Sequence, residues 1–378
     1  ELIQKSEILR AERNELSSKF KVQSSKSRGK DIKGELKKIE DELRLVEEKF
    51  RQAMLTVPNV AHSSVPVGKD SKDNVEVKKW GNPKQFSFPV KDHLQLARDL
   101  DLVDFERGAK VGGYRGYFLK NEAAQLEFAI LMYAFTKLTQ KGYTPVMAPS
   151  LVKEFTLFGN GEFPWGKENN VFEFKNDDRY LAGTAEVPVT AYFADELLQE
   201  KDLPKKFVAF SPCFRREAGS YGKDTRGLYR VHQFNKIEQV IISTNNLNTS
   251  FTLHEELLAN SESILQDLKL PYLVLLMCPG DMGEPQVKKY DIETWIPGRN
   301  AYGETMSNSV MGDFQARRLK IRYKAKDGKT YFCHTLNNTA IASPRILIPI
   351  LENYQNSDGS VTIPEILQPY LGKDKISR

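Results

Sequence analysis

Two arginines and two glutamates at the ends of one predicted hairpin are the residues of this chain best placed to do chemistry. Arg215, Arg216 and Glu217 close an apolar run, Lys206–Phe210, of strand length and composition; Glu238 lies inside a second such run, Ile237–Ile242. Between them is a loop of Gly, Ser, Tyr, Lys, Asp and Arg, and this arrangement predicts an antiparallel hairpin with a long connection. A charge within a buried strand is costly unless it is paired or has a ligand to hold. The hairpin therefore carries a salt-bridge network or binds something charged at both signs. An amino acid together with ATP fits the second case, with phosphates against arginine and an α-ammonium against glutamate.

The rest of the chain must hold these groups in place, and its composition is that of an ordinary water-soluble protein. Of its 378 residues 28% are charged and 40% hydrophobic, enough for one large domain and an appendage. The net charge of +5 permits nucleic-acid binding without arguing for it. Cys213, Cys278 and Cys333 are dispersed, which indicates neither a disulfide framework nor a zinc ribbon and fits a reducing compartment. No apolar run approaches the ~20 residues of a membrane span, so no membrane partner is expected. The chain begins at Glu1 inside a helical pattern, without a secretory signal, and an upstream segment is expected to be missing.

Three regions follow from the patterning. Residues 1–57 predict an antiparallel two-helix coiled coil: Ile32, Leu36, Ile39, Leu43, Val46 and Phe50 form a heptad seam, and Leu2, Leu9, Leu16 and Phe20 a weaker one. Ser24–Lys30 breaks the pattern and makes a basic tip. Either this is a dimerisation coil with a solvated tip, or it is an arm whose Lys19, Lys21, Lys26, Arg28, Lys30 and Lys33 meet phosphates. Residues 58–91 are polar with scattered Pro and Gly, and read as a linker or surface strap. Residues 92–378 are globular. Glu122–Lys141 predicts a strong helix stopped at Gly142, Val146–Pro149 a short strand, and Leu253–Leu268 an amphipathic helix. Residues 272–277, 288–295 and 319–324 read as strands, and Ala340–Tyr354 as helix. Strands with helices inserted, and no regular βαβ alternation, predict a largely antiparallel α+β domain.

One motif is a decoy. Gly161–Lys167 has the glycine and lysine spacing of a phosphate-binding loop, but Glu168 stands where a magnesium-binding Ser or Thr belongs and no clear strand precedes it. It reads as a surface loop.

The other motifs fit together. Phe214–Gly222 with Arg226–Leu228, continuing through His232 to Glu238, resembles the second motif of class II aminoacyl-tRNA synthetases in its seryl form. Gly142–Pro149 resembles the first motif, a dimer-interface segment, and Ala340–Asn353 the third. Thr184-Ala185-Glu186, Asp313–Arg318 and Thr335–Asn337 match further elements. In order and spacing the chain resembles a bacterial-type seryl-tRNA synthetase over nearly its whole length.

That resemblance implies an antiparallel class II catalytic sheet flanked by helices, with a tRNA-binding arm. It implies ATP-dependent activation of L-serine, then transfer to the terminal ribose of tRNA(Ser), with tRNA(Sec) left open as a second acceptor. Arg215 and Arg345 match the catalytic arginines. Arg215, Arg216, Glu217, Glu304, Thr305, Met306, Ser307 and Arg345 match the ATP site, where Glu304 and Ser307 also match the Mg²⁺ ligands. Thr184, Ala185, Glu186, Arg215, Glu238, Asn337 and Thr339 match the serine site. Lys26, Arg28 and Lys30 on the arm, with Lys223 and Arg226 in the hairpin loop, are the expected tRNA contacts. His232 is expected to pack beside the nucleotide. Relatives that ligate amino acids to carrier proteins lack the arm, and a non-catalytic paralogue would not need the intact arginines and glutamates.

Three departures from the family stand out. The arm is short at its start. Gly303 lacks an arginine that the family commonly carries before Glu304, and Met306 replaces a serine. Asn338-Thr339 and Ser343-Pro344 replace more frequent pairs around Arg345. The glycine and the proline resemble the mitochondrial branch, so a mitochondrial matrix location is expected, with the cytoplasm as the alternative.

Overall fold

The structure, a computed structural model, describes residues 1–18, 23–165, 170–218 and 227–378, and no side chains within 16–29. The chain divides into two compact units, Glu1–Val57 and Pro58–Arg378.

The first unit is a pair of helices, α1 (Leu2–Ser18) and α2 (Gln23–Leu55). Ile32 and Leu36 of the expected seam are buried, and Arg10 reaches Glu40 across the pair at 2.9 Å. Towards the far end the seam opens: Val46 and Phe50 are exposed. At 17 residues α1 is about half as long as the 33-residue α2, and the Arg10–Glu40 register leaves nothing of α1 opposite Phe50. The break expected at Ser24–Lys30 is instead helical, because a single glycine costs a helix only about 1 kcal/mol. Lys30 is exposed. Lys19 and Lys21, and the side chains of Lys26 and Arg28, lie outside the described residues.

The second unit is built on an eight-stranded sheet. Its strands are β1 (Val75–Trp80), β2 (Thr144–Met147), β3 (Lys205–Phe214), β4 (Gln233–Ser243), β5 (Tyr272–Leu276), β6 (Lys288–Ile296), β7 (Ala301–Gly312) and β8 (His334–Ser343), in the spatial order β1-β5-β6-β7-β8-β4-β3-β2. Only β2 runs parallel to its neighbour. The segment read as a linker thus contributes an edge strand, β1. Asn59 near its start also donates to the carbonyls of Pro285 and Met311 at 2.8 Å each.

Helices α3 (Asn121–Gln140) and α4 (Leu247–Asp267) share one apolar core with the sheet. Strand side chains alternate between faces. On β4, Ile237 and Ile241 enter that core, while Lys236 and Glu238 point to the opposite face. On β8, Leu336 and Ala340 face the core; Asn337 and Thr339 face away. One side of the sheet is therefore packed with hydrocarbon, and the other is free to build a polar site.

The sequence reading of Ala340–Tyr354 as one helix is corrected: β8 runs to Ser343, and the helix, α5, is only Leu347–Asn353. β8 is buried on both faces, so its residues give no period to separate strand from helix. In the stretch 319–324, only Arg322–Lys324 is strand, after a short helix Phe314–Leu319.

Candidate active site

The polar face holds a cleft of about 270 Å³ across β4, β7 and β8. Its first wall is the mouth of the β3–β4 hairpin. Phe214 pairs with Gln233, so Arg215 leaves the last rung of the ladder and is still held by it, its N–H bonding the His232 carbonyl at 2.9 Å. Its Nε donates to Gly183 O at 3.2 Å and its guanidinium lies 5.4 Å from the centre of the Phe234 ring. Glu217 also lines the cleft, its carboxylate accepting from Arg230 Nη1 at 2.9 Å. Arg216 departs from expectation: extended backbone sends neighbouring side chains to opposite sides, and Arg216 is exposed, outside the cleft lining. His232 puts Nδ1 on the Arg215 carbonyl at 2.9 Å and packs edge-on to Phe172, a supporting position.

The second wall comes from β7 and the turn after β8. Arg345 donates from Nε to Tyr229 O at 3.0 Å and from Nη1 to Glu304 O at 3.2 Å, with the Glu304 carboxylate 3.7 Å away. Burial works to raise the Glu304 carboxyl, but Arg345, Lys289, Arg215 and Arg230 outweigh it and hold the group below its ordinary value. Glu304 therefore stays ionised. Its neighbours differ. Asp291, desolvated though paired to Lys289 at 3.0 Å, is pushed up to about 6, and Glu293, directly across the ladder from Glu304, to about 7. Ser307 completes this wall. Thr305 and Met306 border it, but the Met306 side chain packs in the apolar core on the other face and the buried Thr305 hydroxyl bonds Thr294, so neither presents the side chain expected of an ATP contact.

Glu304 and Ser307 fit Mg²⁺ in chemistry: both offer hard oxygen. Asp291, opposite Ser307 on the ladder, has a buried carboxylate oxygen, Oδ1, without a hydrogen-bond partner. No group of three His, Cys, Asp or Glu residues able to hold a metal occurs among the described residues, so two donors from the chain would leave the remaining positions to water and phosphate.

The third region lies deeper. Thr184 and Glu186 sit at the start of a short helix, Glu186–Thr190, with Thr184 Oγ1 accepting from the Glu186 N–H at 3.1 Å. Glu186 accepts from Gln315 Nε2 at 2.8 Å, and burial, together with the nearby Glu238 charge, raises its carboxyl to about 8. Glu238 is fully buried beneath the floor and outside the cleft lining, bonded by Asn337 Nδ2 and Thr339 Oγ1 at 3.2 Å each and by Lys236 Nζ at 2.6 Å. The strand glutamate thus has a salt-bridge partner and also sits beneath the two side chains expected to share its ligand. Ala185 points elsewhere, into a small core with Val189, Phe207 and Val240, and shapes the site only from behind.

Sequence reasoning missed several lining residues. Glu162 belongs to the loop set aside as a surface decoy, yet Phe163 beside it is fully buried and Glu162 lines the cleft. Tyr229, Phe234, Lys236 and Lys289 also line it, and only their nearness to the motif residues could have signalled them. Lys223 and Arg226 lie outside the described residues.

Residues 171–354 match the tRNA synthetase class II core domain (G, H, P, S and T). A serine–tRNA ligase of Bdellovibrio bacteriovorus is 51% identical over 84% of this chain and 73% of its own length. The seryl-tRNA synthetase of Pyrococcus horikoshii, solved with ATP, superposes with a TM-score of 0.91 at 38% identity, covering 99% of this chain and 90% of its own. The cytoplasmic serine–tRNA ligase of Naegleria fowleri, solved with AMP, gives 0.88 at 33% identity, over 100% of this chain and 88% of its own.

Proposed function

Since the chain belongs to the serine–tRNA ligase family, and is an ATP-dependent ligase of serine to tRNA, we propose that its cleft divides into a nucleotide end and a serine end. The convergence of Arg215, Arg345 and Glu304 on one cleft whose floor is Glu186, Asn337 and Thr339, with Glu238 bonded directly beneath, carries this reading. Arg215 takes the α-phosphate and the serine carboxylate, and Arg345 the far phosphates. Glu217 faces the adenine amino group. Glu186 and Glu238 receive the ammonium, and Thr339 and Asn337 lie near the hydroxyl.

In the first step a serine carboxylate oxygen attacks the α-phosphorus. The bond to the bridging oxygen breaks and pyrophosphate leaves with the electron pair. In the second, a terminal ribose hydroxyl of tRNA attacks the adenylate carbonyl, the bond to the phosphate oxygen breaks, and AMP leaves with the electron pair while the hydroxyl proton is released. No side chain becomes covalently attached, so the chain contributes positioning and neutralisation of charge developing at phosphorus. Arg215 stays in register because the hairpin ladder and Gly183 hold it, and Arg345 because Tyr229 and Glu304 hold it. Mg²⁺, when bound by Glu304 and Ser307, supplies further neutralisation of phosphate charge.

A homodimer is part of the reading. The motif-1-like strand β2 and helix α3 carry Met147 at 79% and Phe128 at 78% exposure, beside an apolar cavity of about 880 Å³, and burial of these side chains by a second copy would remove them from water. The α1–α2 arm is assigned to tRNA(Ser); tRNA(Sec) is carried as a second acceptor. The mitochondrial reading rests on Gly303 and Pro344 alone, with the cytoplasm as the alternative. Charging of a serine tRNA transcript tests the function, and charging of a selenocysteine tRNA transcript tests the extension. Loss of the first would overturn the assignment.

A further inference from the structure

Tyr229 makes four contacts at the nucleotide end of the cleft. Its ring centre lies 4.5 Å from the Arg345 guanidinium and 4.2 Å from that of Arg299. Its carbonyl accepts from Arg345 Nε at 3.0 Å, and its hydroxyl donates to Glu304 O at 3.0 Å. Glu304 O in turn accepts from Arg345 Nη1 at 3.2 Å. Tyr229, Glu304 and Arg345 thus form a closed ring of contacts around the arginine assigned to the far phosphates.

Gly303 explains why the ring fits. A Cβ built there would stand 2.9 Å from Ile296 Cδ1 and 3.2 Å from the Tyr229 hydroxyl oxygen. The space a side chain at 303 would take is filled by the tyrosine. The wall there presents an aromatic face that gathers two guanidinium groups.

We propose that Tyr229 is a positioning residue for ATP, matched to Gly303, which fixes Arg345 through its ring and its bond to Glu304. The inference rests on the assignment of this end of the cleft to the phosphates. The ring acts because a guanidinium over an aromatic face is attracted by its quadrupole, more strongly where water is excluded. The hydroxyl acts because it anchors the carbonyl that Arg345 also uses. Arg299 steadies the ring from its own turn, Pro297–Arg299.

The test compares Tyr229→Phe, Tyr229→Leu, Gly303→Arg and the double variant Tyr229→Leu/Gly303→Arg. The readouts are serine-dependent ATP–pyrophosphate exchange, ATP binding by calorimetry, and thermal melting. Tyr229→Leu should raise KM and Kd for ATP about tenfold, as loss of a desolvated cation–π contact implies. KM for serine should stay within about twofold, since no serine contact changes. Tyr229→Phe keeps the ring and should recover most of the difference. Gly303→Arg should weaken ATP binding while Tyr229 is present and strengthen it once leucine has made room. Unchanged ATP binding in Tyr229→Leu would overturn the proposal, as would serine and ATP constants rising together with a lowered melting temperature. So would an arginine at 303 with the same effect in both backgrounds. If the parent chain binds ATP but shows no exchange, the ligase reading fails while calorimetry still decides the role of Tyr229. If the parent does not bind ATP, both fail.

Discussion

Glu238 and Lys236 form an ion pair at 2.6 Å under the floor of the cleft, with side chains 0% and 6% exposed. They are two residues apart on β4 and on its polar face, so the strand itself sets their spacing. A glutamate that must receive an ammonium is thereby held in place by an ammonium of the chain's own.

Removing one partner of this pair strands the other in a buried site. Glu238→Ala should lower unfolding free energy by about 3–5 kcal/mol, read by chemical denaturation. Replacing both, as Lys236→Met/Glu238→Leu, should return most of that stability yet leave serine activation absent. A double variant that stays as unstable as the single one would show that the pair is not the cause.

Glu186 gives the site a pH signature. Its folded value of about 8 lies above its ordinary 4.5, through burial and the charge of Glu238. The folded chain therefore holds a proton there that the unfolded chain has released. The resulting stability is complete below about pH 4.5 and is lost as pH rises through 8. Glu186→Gln should flatten the fall in melting temperature across that window. An arriving ammonium favours the ionised form, so serine binding at pH 7 should release close to one proton. Calorimetry in buffers of different ionisation enthalpy measures this; no proton release would remove Glu186 from the ammonium site.

Arg345 is one-fifth exposed and lies at the cleft, so its loss should act on chemistry more than on folding. Arg345→Ala should reduce kcat of exchange about 10²–10³-fold, the usual effect of deleting one electrostatic stabiliser. Melting should change little. A large drop in melting temperature with an unchanged rate per folded molecule would assign the residue to structure.

The apolar face predicts association. Phe128→Glu/Met132→Glu places charge on side chains that are 78% and 54% exposed, and should yield a folded monomer in sedimentation. A parent chain that sediments as a monomer would contradict the dimer.

Much of this was legible before any coordinates, for identifiable reasons. Arg215 and Glu238 stood out because charge in an apolar strand needs an explanation, and the hairpin register brings Arg215 to the cleft and Glu238 beneath its floor. Arg216 misled because a motif names neighbours alike, while extended backbone sends them to opposite sides. Glu162 was hidden because its loop matched a pattern of another kind, and its burial depends on distant contacts of Phe163. The β8 strand was taken for helix because residues covered on both faces carry no period. Gly303 looked like a loss until the structure placed the Tyr229 ring against it.

The central claim is that this cleft joins ATP to serine in particular. Pyrophosphate exchange measured side by side with serine, threonine, alanine and glycine tests it. The account predicts exchange with serine, and kcat/KM about 10⁴-fold lower with alanine, because Thr339 and Asn337 lose a hydroxyl partner. Exchange absent with serine, or equally fast with alanine, would contradict it.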